Sequence, residues 1–115
     1  MQSPVLTFEL FEAEEAARFL AAASIGLLKS VSDRFMTLAE AERLMFTPRR
    51  ARVLREKGIS PKLCDLIMDC CELDDVLDLL PEKFDSELNK MIGRLSDYIA
   101  NSVSQDPYAE HARFK

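Results

Sequence analysis

The side chains with chemical potential in this chain are mostly charged, and they fall into two clusters. Five carboxylates occupy one short stretch: Asp69, Glu72, Asp74, Asp75 and Asp78. Five cationic side chains occupy another: Arg49, Arg50, Arg52, Arg55 and Lys57. Carboxylates at this spacing can hold a hard cation or meet a basic partner. Arginines on a helix can bind nucleic acid, a protein partner or the protein's own acids.

The acidic cluster contains the residue types of a metal site. Asp69, Glu72 and Asp75 are three residues apart, so on a helix they stay near one side. A cation-dependent enzyme of this kind needs a second cluster on a facing helix, and the sequence has one cluster. We therefore expect no metal here, and a partner-facing acidic patch formed by four side chains: Glu72, Asp74, Asp75 and Asp78.

The remaining reactive residues do not form a catalytic set. The single histidine, His111, lies near the C-terminus, and with Cys64, Cys70 and Cys71 it lacks the spacing of a zinc site. Gly26, Gly58 and Gly93 are too far apart to build a phosphate loop. We predict that the chain is not an enzyme and has no cofactor, and that its cysteines are dispensable and mainly fill the core.

Length and charge limit the class of protein further. With 115 residues, 48% of them hydrophobic and 30% charged, we expect one domain over residues 1–115. The net charge of −5 is unevenly divided, at −2 for residues 1–30, +4 for residues 31–62 and −7 for residues 63–115. No apolar run is long enough to span a membrane, and the odd number of cysteines favours a reduced compartment. We expect a cytoplasmic, prokaryotic protein.

Hydrophobic spacing predicts helices almost throughout. A first helix is expected from Phe8 to about Ser32, with an apolar face of four residues: Leu20, Ala23, Leu27 and Val31. A last helix is expected from about Phe84, with a stripe of five: Leu88, Ile92, Leu95, Ile99 and Val103. Only Val5–Leu10 resembles a strand. The prediction is an all-α, compact bundle of five to six helices, with residues 105–115 as a loose tail.

Local signals divide the middle of the chain into shorter helices. Thr37 and Glu40 form a capping box, while Thr47-Pro48 and Ser60-Pro61 each start a helix. Gly58 is expected to end the third helix in left-handed geometry. The residues predicted to face inward in this part are Ala41, Leu44, Met45, Val53, Leu54, Leu63, Leu66, Ile67, Cys70, Val76, Leu77 and Leu80.

The segment Leu38–Gly58 is similar to the helix-turn-helix of excisionase-like and MerR-like DNA-binding proteins. The matching pieces are Leu38-Ala39-Glu40-Ala41, Thr47-Pro48-Arg49-Arg50 and Leu54-Arg55-Glu56-Lys57-Gly58. The resemblance implies that the second helix enters the major groove and that Arg49, Arg50 and Arg52 meet base edges. The turn Met45-Phe46-Thr47 is shorter and bulkier than the family's turn, which usually contains glycine.

A second resemblance covers three short segments: Leu44-Met45-Phe46-Thr47-Pro48, Glu72-Leu73-Asp74-Asp75-Val76 and Leu79-Leu80-Pro81. They look like a family of small uncharacterised bacterial proteins, which are single helical domains of about this length. This resemblance implies no known activity, and it favours a binding or accessory role over catalysis.

Two functions follow from these observations. The leading hypothesis is a small non-enzymatic protein-binding module, immunity- or inhibitor-like, that docks the acidic patch onto a basic partner protein. The alternative is a DNA-binding regulator that uses Arg49, Arg50, Arg52 and Arg55. An enzyme is the least favoured reading, and no membrane partner is expected.

Overall fold

The structure is a computed structural model that describes residues 12–102, and within this range it contains α-helices and no strand. The helices are α1 Ala13–Ser32, α2 Leu38–Leu44, α3 Pro48–Glu56, α4 Pro61–Cys70, α5 Leu73–Leu79 and α6 Phe84–Asn101, with a 3-10 turn at Pro81–Lys83 before α6. The predicted all-α bundle of five to six helices is confirmed. Val5–Leu10, Val103 and the predicted tail 105–115 with His111 lie outside the described residues.

The two long helices α1 and α6 form the centre of the bundle. Their buried side chains are Ala17, Ala21, Ser24, Leu28 and Val31 on α1, and Leu88, Met91, Leu95 and Tyr98 on α6. The small residues of α1 allow α6 to approach closely, because the distance between packed helices depends on the side chains at the contact. The predicted face of α1 was partly wrong, since Leu20, Ala23 and Leu27 are only half-buried.

Arg18, near the start of α1, forms hydrogen bonds with the end of α6. The two helices are therefore antiparallel. Arg18 Nη1 donates hydrogen bonds to the carbonyl oxygens of Ile99, at 2.8 Å, and of Ser102, at 3.2 Å. The last carbonyls of a helix have no partner within the helix, and the helix dipole is negative there. The guanidinium therefore both satisfies these oxygens and places a positive charge where it is favourable.

The predicted helix starts are confirmed at all three sites. The Thr37 hydroxyl accepts from the Glu40 N–H at 3.1 Å, and Glu40 Oε1 accepts from the Thr37 N–H at 3.3 Å, which completes the capping box. The Thr47 hydroxyl accepts from the Arg50 N–H at 3.1 Å, and Ser60 does the same for Leu63 at 3.4 Å. Because these contacts span three residues, the local sequence is sufficient to specify them.

Two helices end in left-handed turns of the same type. Gly58, at φ 89°, ends α3 as predicted, and the N–H of Ile59 donates to the Leu54 carbonyl at 3.0 Å. At the end of α1 the equivalent position is Arg34, at φ 67°, and the N–H of Phe35 donates to the Ser30 carbonyl at 2.9 Å. A non-glycine residue in this geometry carries strain. Since no glycine marks it, the sequence analysis did not predict this turn.

Several residues predicted to face inward are exposed, and this corrects the predicted core. Leu44 is 56% exposed and Leu77 is 40% exposed, while Val53 and Leu80 are also on the surface. The reason is that α2, α3 and α5 are short. The buried side chains are Leu38 and Ala41 in α2, Ala51 in α3 and Leu73 in α5. Leu54 and Val76 are half-buried, whereas the other apolar side chains of these helices, such as Leu44, Val53 and Leu77, are exposed.

Replacing Thr47 with alanine tests the cap of α3. The change removes the oxygen that accepts the Arg50 N–H, so we expect it to lower the free energy of unfolding by about 1 kcal/mol. Thr47→Ser, which keeps the hydroxyl, serves as the control and should behave almost like the parent. Urea denaturation followed by circular dichroism measures both, and equal midpoints for Thr47→Ala and Thr47→Ser would contradict the assignment.

Replacing Arg18 with alanine tests the link between α1 and α6. The change leaves two carbonyls at the end of α6 without their charged donor, so we expect a loss of about 1–2 kcal/mol in unfolding free energy. Lysine at this position keeps a charge but not the geometry of the guanidinium, so it should recover part of the loss. Thermal and urea unfolding of both variants measure the change. An unfolding free energy of Arg18→Ala equal to that of the parent would contradict the stabilising role of Arg18.

Candidate functional site

Helix α5 carries most of an exposed acidic surface. Asp74, Asp75 and Asp78 are exposed along α5, and Glu72 is exposed at its N-terminal boundary. Within residues 12–102, none of these four carboxylates has a basic side chain within 4.0 Å. The structure thus places the four sequence-predicted residues together, with their charges open to solvent.

A fifth acid, Glu42 on α2, joins this group and was missed by the sequence analysis. Burial raises the pKa of the Glu42 carboxyl above its ordinary value, and the negative charges of the three α5 aspartates raise it further. Glu42 lies about thirty residues earlier in the chain, outside both charge clusters, so no local pattern could have found it. We refer to Glu42, Glu72, Asp74, Asp75 and Asp78 as the acidic surface.

A cleft lined by both apolar and charged side chains, with Arg34, Glu40 and Asp85 among the charged ones, borders the acidic surface. It has a volume of about 460 Å³, and Phe35, Leu77 and Pro81 are among its lining residues. Phe35 is 84% exposed and follows the strained turn at Arg34. Leu77 belongs to α5 and lies beside Asp78 and one turn from Asp74, which connects the cleft with the acidic surface. Exposed aromatic and leucine side chains framed by charges are typical of protein contact sites.

The predicted basic helix separates into two groups in the structure. Arg49, Arg50 and Arg52 are exposed, and within the described residues no carboxylate lies within 4.0 Å of them. Arg55 instead forms an ion pair with Asp65, which links α3 to α4. Three of the four arginines are therefore available to a partner, whereas the fourth is engaged within the fold.

A groove runs beside α3 and combines apolar with basic residues. It has a volume of about 630 Å³. Its lining consists of Leu20, Leu44, Met45, Thr47, Arg49, Arg50, Val53 and Leu54, and we refer to it as the α3 groove. The resemblance to a helix-turn-helix gave no indication of it, because it depends on Leu20 from α1 and on the exposure of Leu44.

The cysteines lie in surroundings that suppress reactivity. Cys64 and Cys70 are buried, and Cys71 is half-buried. Burial raises the pKa of the Cys70 thiol to about 12, with the neighbouring Cys71 adding to it. Burial also raises the pKa of Cys71 to about 11, reinforced by the charge of Glu42. Thiols with such values remain protonated near neutral pH and are poor nucleophiles and metal ligands.

The three carboxylates at metal-site spacing in the sequence, Asp69, Glu72 and Asp75, have different roles in the structure. Asp69 accepts a hydrogen bond from Arg94 Nη2 at 2.8 Å, which links α4 to α6, while Glu72 and Asp75 belong to the acidic surface. In the described part of the chain, no three cysteine, histidine or acidic side chains are arranged to hold a metal ion. No helix there is long and apolar enough to cross a bilayer.

Comparison with known proteins identifies the family. Neither the curated proteins nor the solved structures contain a match to the chain. One family model matches, described as a protein of unknown function (DUF3969), and it covers residues 11–111. This range includes every described helix, the acidic surface and the α3 groove. The match extends over nearly the whole sequence, and the chain therefore belongs to the DUF3969 family.

Proposed function

We propose that this protein is a small protein-binding module whose acidic surface docks onto a basic region of a partner protein. One observation carries the proposal: Glu42 on α2, Glu72 at the start of α5 and the three α5 aspartates form a surface with no basic side chain within 4.0 Å among residues 12–102. Leu77 of α5 connects this surface with the Phe35–Leu77 cleft. Charge gives such a surface attraction and orientation, and the cleft supplies apolar area for affinity.

The electrostatics of the free protein favour such a partner. The raised pKa of Glu42 means that its ionised form is disfavoured by burial and by the α5 aspartates. Lysine or arginine side chains from a partner would offset that repulsion, so binding would relieve a cost that the free protein carries. The partner that fits has an apolar side chain flanked by basic residues.

This arrangement is compatible with an immunity- or inhibitor-like role, in which a small acidic protein covers a basic site on another protein. We place that role in the bacterial cytoplasm. The odd number of cysteines supports this placement, because a small oxidised domain usually uses its cysteines in pairs.

A DNA-binding regulator is the second candidate. The observation in its favour is that Arg49, Arg50 and Arg52 are exposed on α3 without an ion-pair partner in the described part of the chain. Against it stand the engagement of Arg55 with Asp65 and the net charge of −5, which repels phosphate. Native electrophoresis with nonspecific duplex DNA at low salt separates the candidates: the leading proposal expects no shift, and a shift lost in Arg49→Ala/Arg50→Ala would favour DNA.

Neutralising Glu42 should stabilise the free protein in a pH-dependent way. A carboxyl whose folded pKa is raised contributes stability below its unfolded pKa and loses that contribution as pH rises through the folded value. Glu42→Gln should therefore melt at a higher temperature than the parent at pH 7, and this difference should shrink as the pH falls below the ordinary carboxyl range. Glu56→Gln, an exposed change of the same kind on α3, is the control, and at pH 7 it should raise the melting temperature less than Glu42→Gln does.

Neutralising the α5 aspartates should weaken partner binding without unfolding the protein. We expect Asp74→Asn/Asp75→Asn/Asp78→Asn to be at least as stable as the parent, because like charges are removed. Each variant is immobilised and used to capture proteins from the native host, which mass spectrometry identifies. A protein captured by the parent should be lost or reduced with this variant, and its association should be slower, with the difference shrinking as salt is raised.

The matched control for this experiment is Arg49→Ala/Arg50→Ala, which alters the other charged surface. It should retain the captured protein. If the arginine variant abolishes capture and the aspartate variant does not, α3 is the interface and the acidic surface is not.

A further inference from the structure

Two exposed apolar sites lie among charges of opposite sign: Leu79 among aspartates, and the α3 groove among arginines. Leu79, the last residue of α5, is 76% exposed and lies beside Asp78 and one turn after Asp75. The α3 groove exposes Leu44 and Val53, and Arg49 and Arg50 line it. One feature is a protruding leucine among acids, and the other is an apolar recess among arginines.

The charges of the two features are complementary, and neither set forms an ion pair within the described residues. Asp75 and Asp78 have no basic side chain within 4.0 Å, and Arg49 has no acidic one, among residues 12–102. Among the described residues the Arg50 guanidinium donates one long hydrogen bond, 3.4 Å from its Nε to the Leu44 carbonyl. Other charged side chains form ion pairs between helices, as in Arg55–Asp65 and Arg94–Asp69. Among the described residues, Asp75, Asp78, Arg49 and Arg50 form no such link between helices.

We propose that a second copy of this chain docks the outer face of its α5 into the α3 groove. Leu79 of one copy packs against Leu44 and Val53 of the other, while Asp75 and Asp78 meet Arg49 and Arg50. This inference rests on the proposed function in one respect, because both assign protein binding to α5. The self-association uses the residues of α5 that do not line the Phe35–Leu77 cleft.

The size of the contact sets its strength. Helix α5 has seven residues, and at 1.5 Å per residue such a helix is about 10 Å long. The area it can bury is below that of a stable permanent dimer, so the association is weak and reversible. Every copy carries one α5 and one groove, so the contact either closes reciprocally into a dimer or continues from copy to copy.

Sedimentation velocity of the purified protein tests the inference directly. At low salt, the weight-average sedimentation coefficient should rise with protein concentration over the micromolar to millimolar range. High salt should suppress the rise, because the arginine–aspartate attraction is screened. A coefficient that stays at the monomer value over this whole range overturns the proposal.

Charge reversal identifies the surfaces. Arg49→Glu/Arg50→Glu and Asp75→Lys/Asp78→Lys should each abolish the rise, as should Leu79→Ser, which removes the apolar anchor. Arg43→Glu/Arg52→Glu makes the same change in net charge as the first variant at exposed positions outside the groove lining, and it should associate like the parent. Circular dichroism confirms that each variant is folded.

Mixing the two reversed variants gives the decisive result. The arginine variant retains a native α5, and the aspartate variant retains a native groove, so an equimolar mixture should regain association that neither shows alone. Failure of the mixture to associate overturns the inference. This result is independent of the proposed function, because sedimentation of the pure protein involves no other protein. If Asp74, Asp75 and Asp78 are needed to capture a protein from the host, the proposed function is supported even when the chain itself is monomeric.

Discussion

The antiparallel packing of α1 on α6 is the contact on which the rest of the fold depends. Helices α2 and α4 pack against α1, α4 and α5 pack against α6, and α3 is held through α4. The pair can form because the buried side of α1 begins with small residues, Ala17 and Ala21, and because Arg18 satisfies the end of α6. Close approach has a cost at Ser24, whose buried hydroxyl has no hydrogen-bond partner among the described residues.

The surfaces available for binding are a consequence of this arrangement. Helices α2, α3 and α5 each contribute one or two fully buried side chains, and several of their other apolar residues, among them Leu44, Val53 and Leu77, are exposed. The Phe35–Leu77 cleft and the α3 groove both arise in this way. Short peripheral helices thus expose leucines beside charges, which is the composition that protein contact sites use.

Some charged side chains of the protein join helices to one another, and others are exposed without an ion-pair partner in the described range. Arg55–Asp65 and Arg94–Asp69 join neighbouring helices within the fold. Such exposed pairs contribute modestly to stability, so their main effect is to fix how α4 meets α3 and α6. The acidic surface and three arginines of α3, Arg49, Arg50 and Arg52, have no ion-pair partner in the described range. They give the molecule one acidic and one basic region.

Local sequence determined the helical class, the helix starts and the end of α3, while only the tertiary structure decided what lies on the surface. Thr37, Thr47, Ser60 and Gly58 could be interpreted from their near neighbours because each hydrogen bond they direct spans only a few residues. The acidic residues of α5 could likewise be identified from the sequence, because they are close together in the chain. The addition of Glu42 to it, and the exposure of Leu44 and Leu77, depend on contacts between residues distant in the chain. Hydrophobic periodicity shows which residues prefer to be buried, but a short helix buries only those that another helix reaches, and that is decided by how α1 and α6 pack.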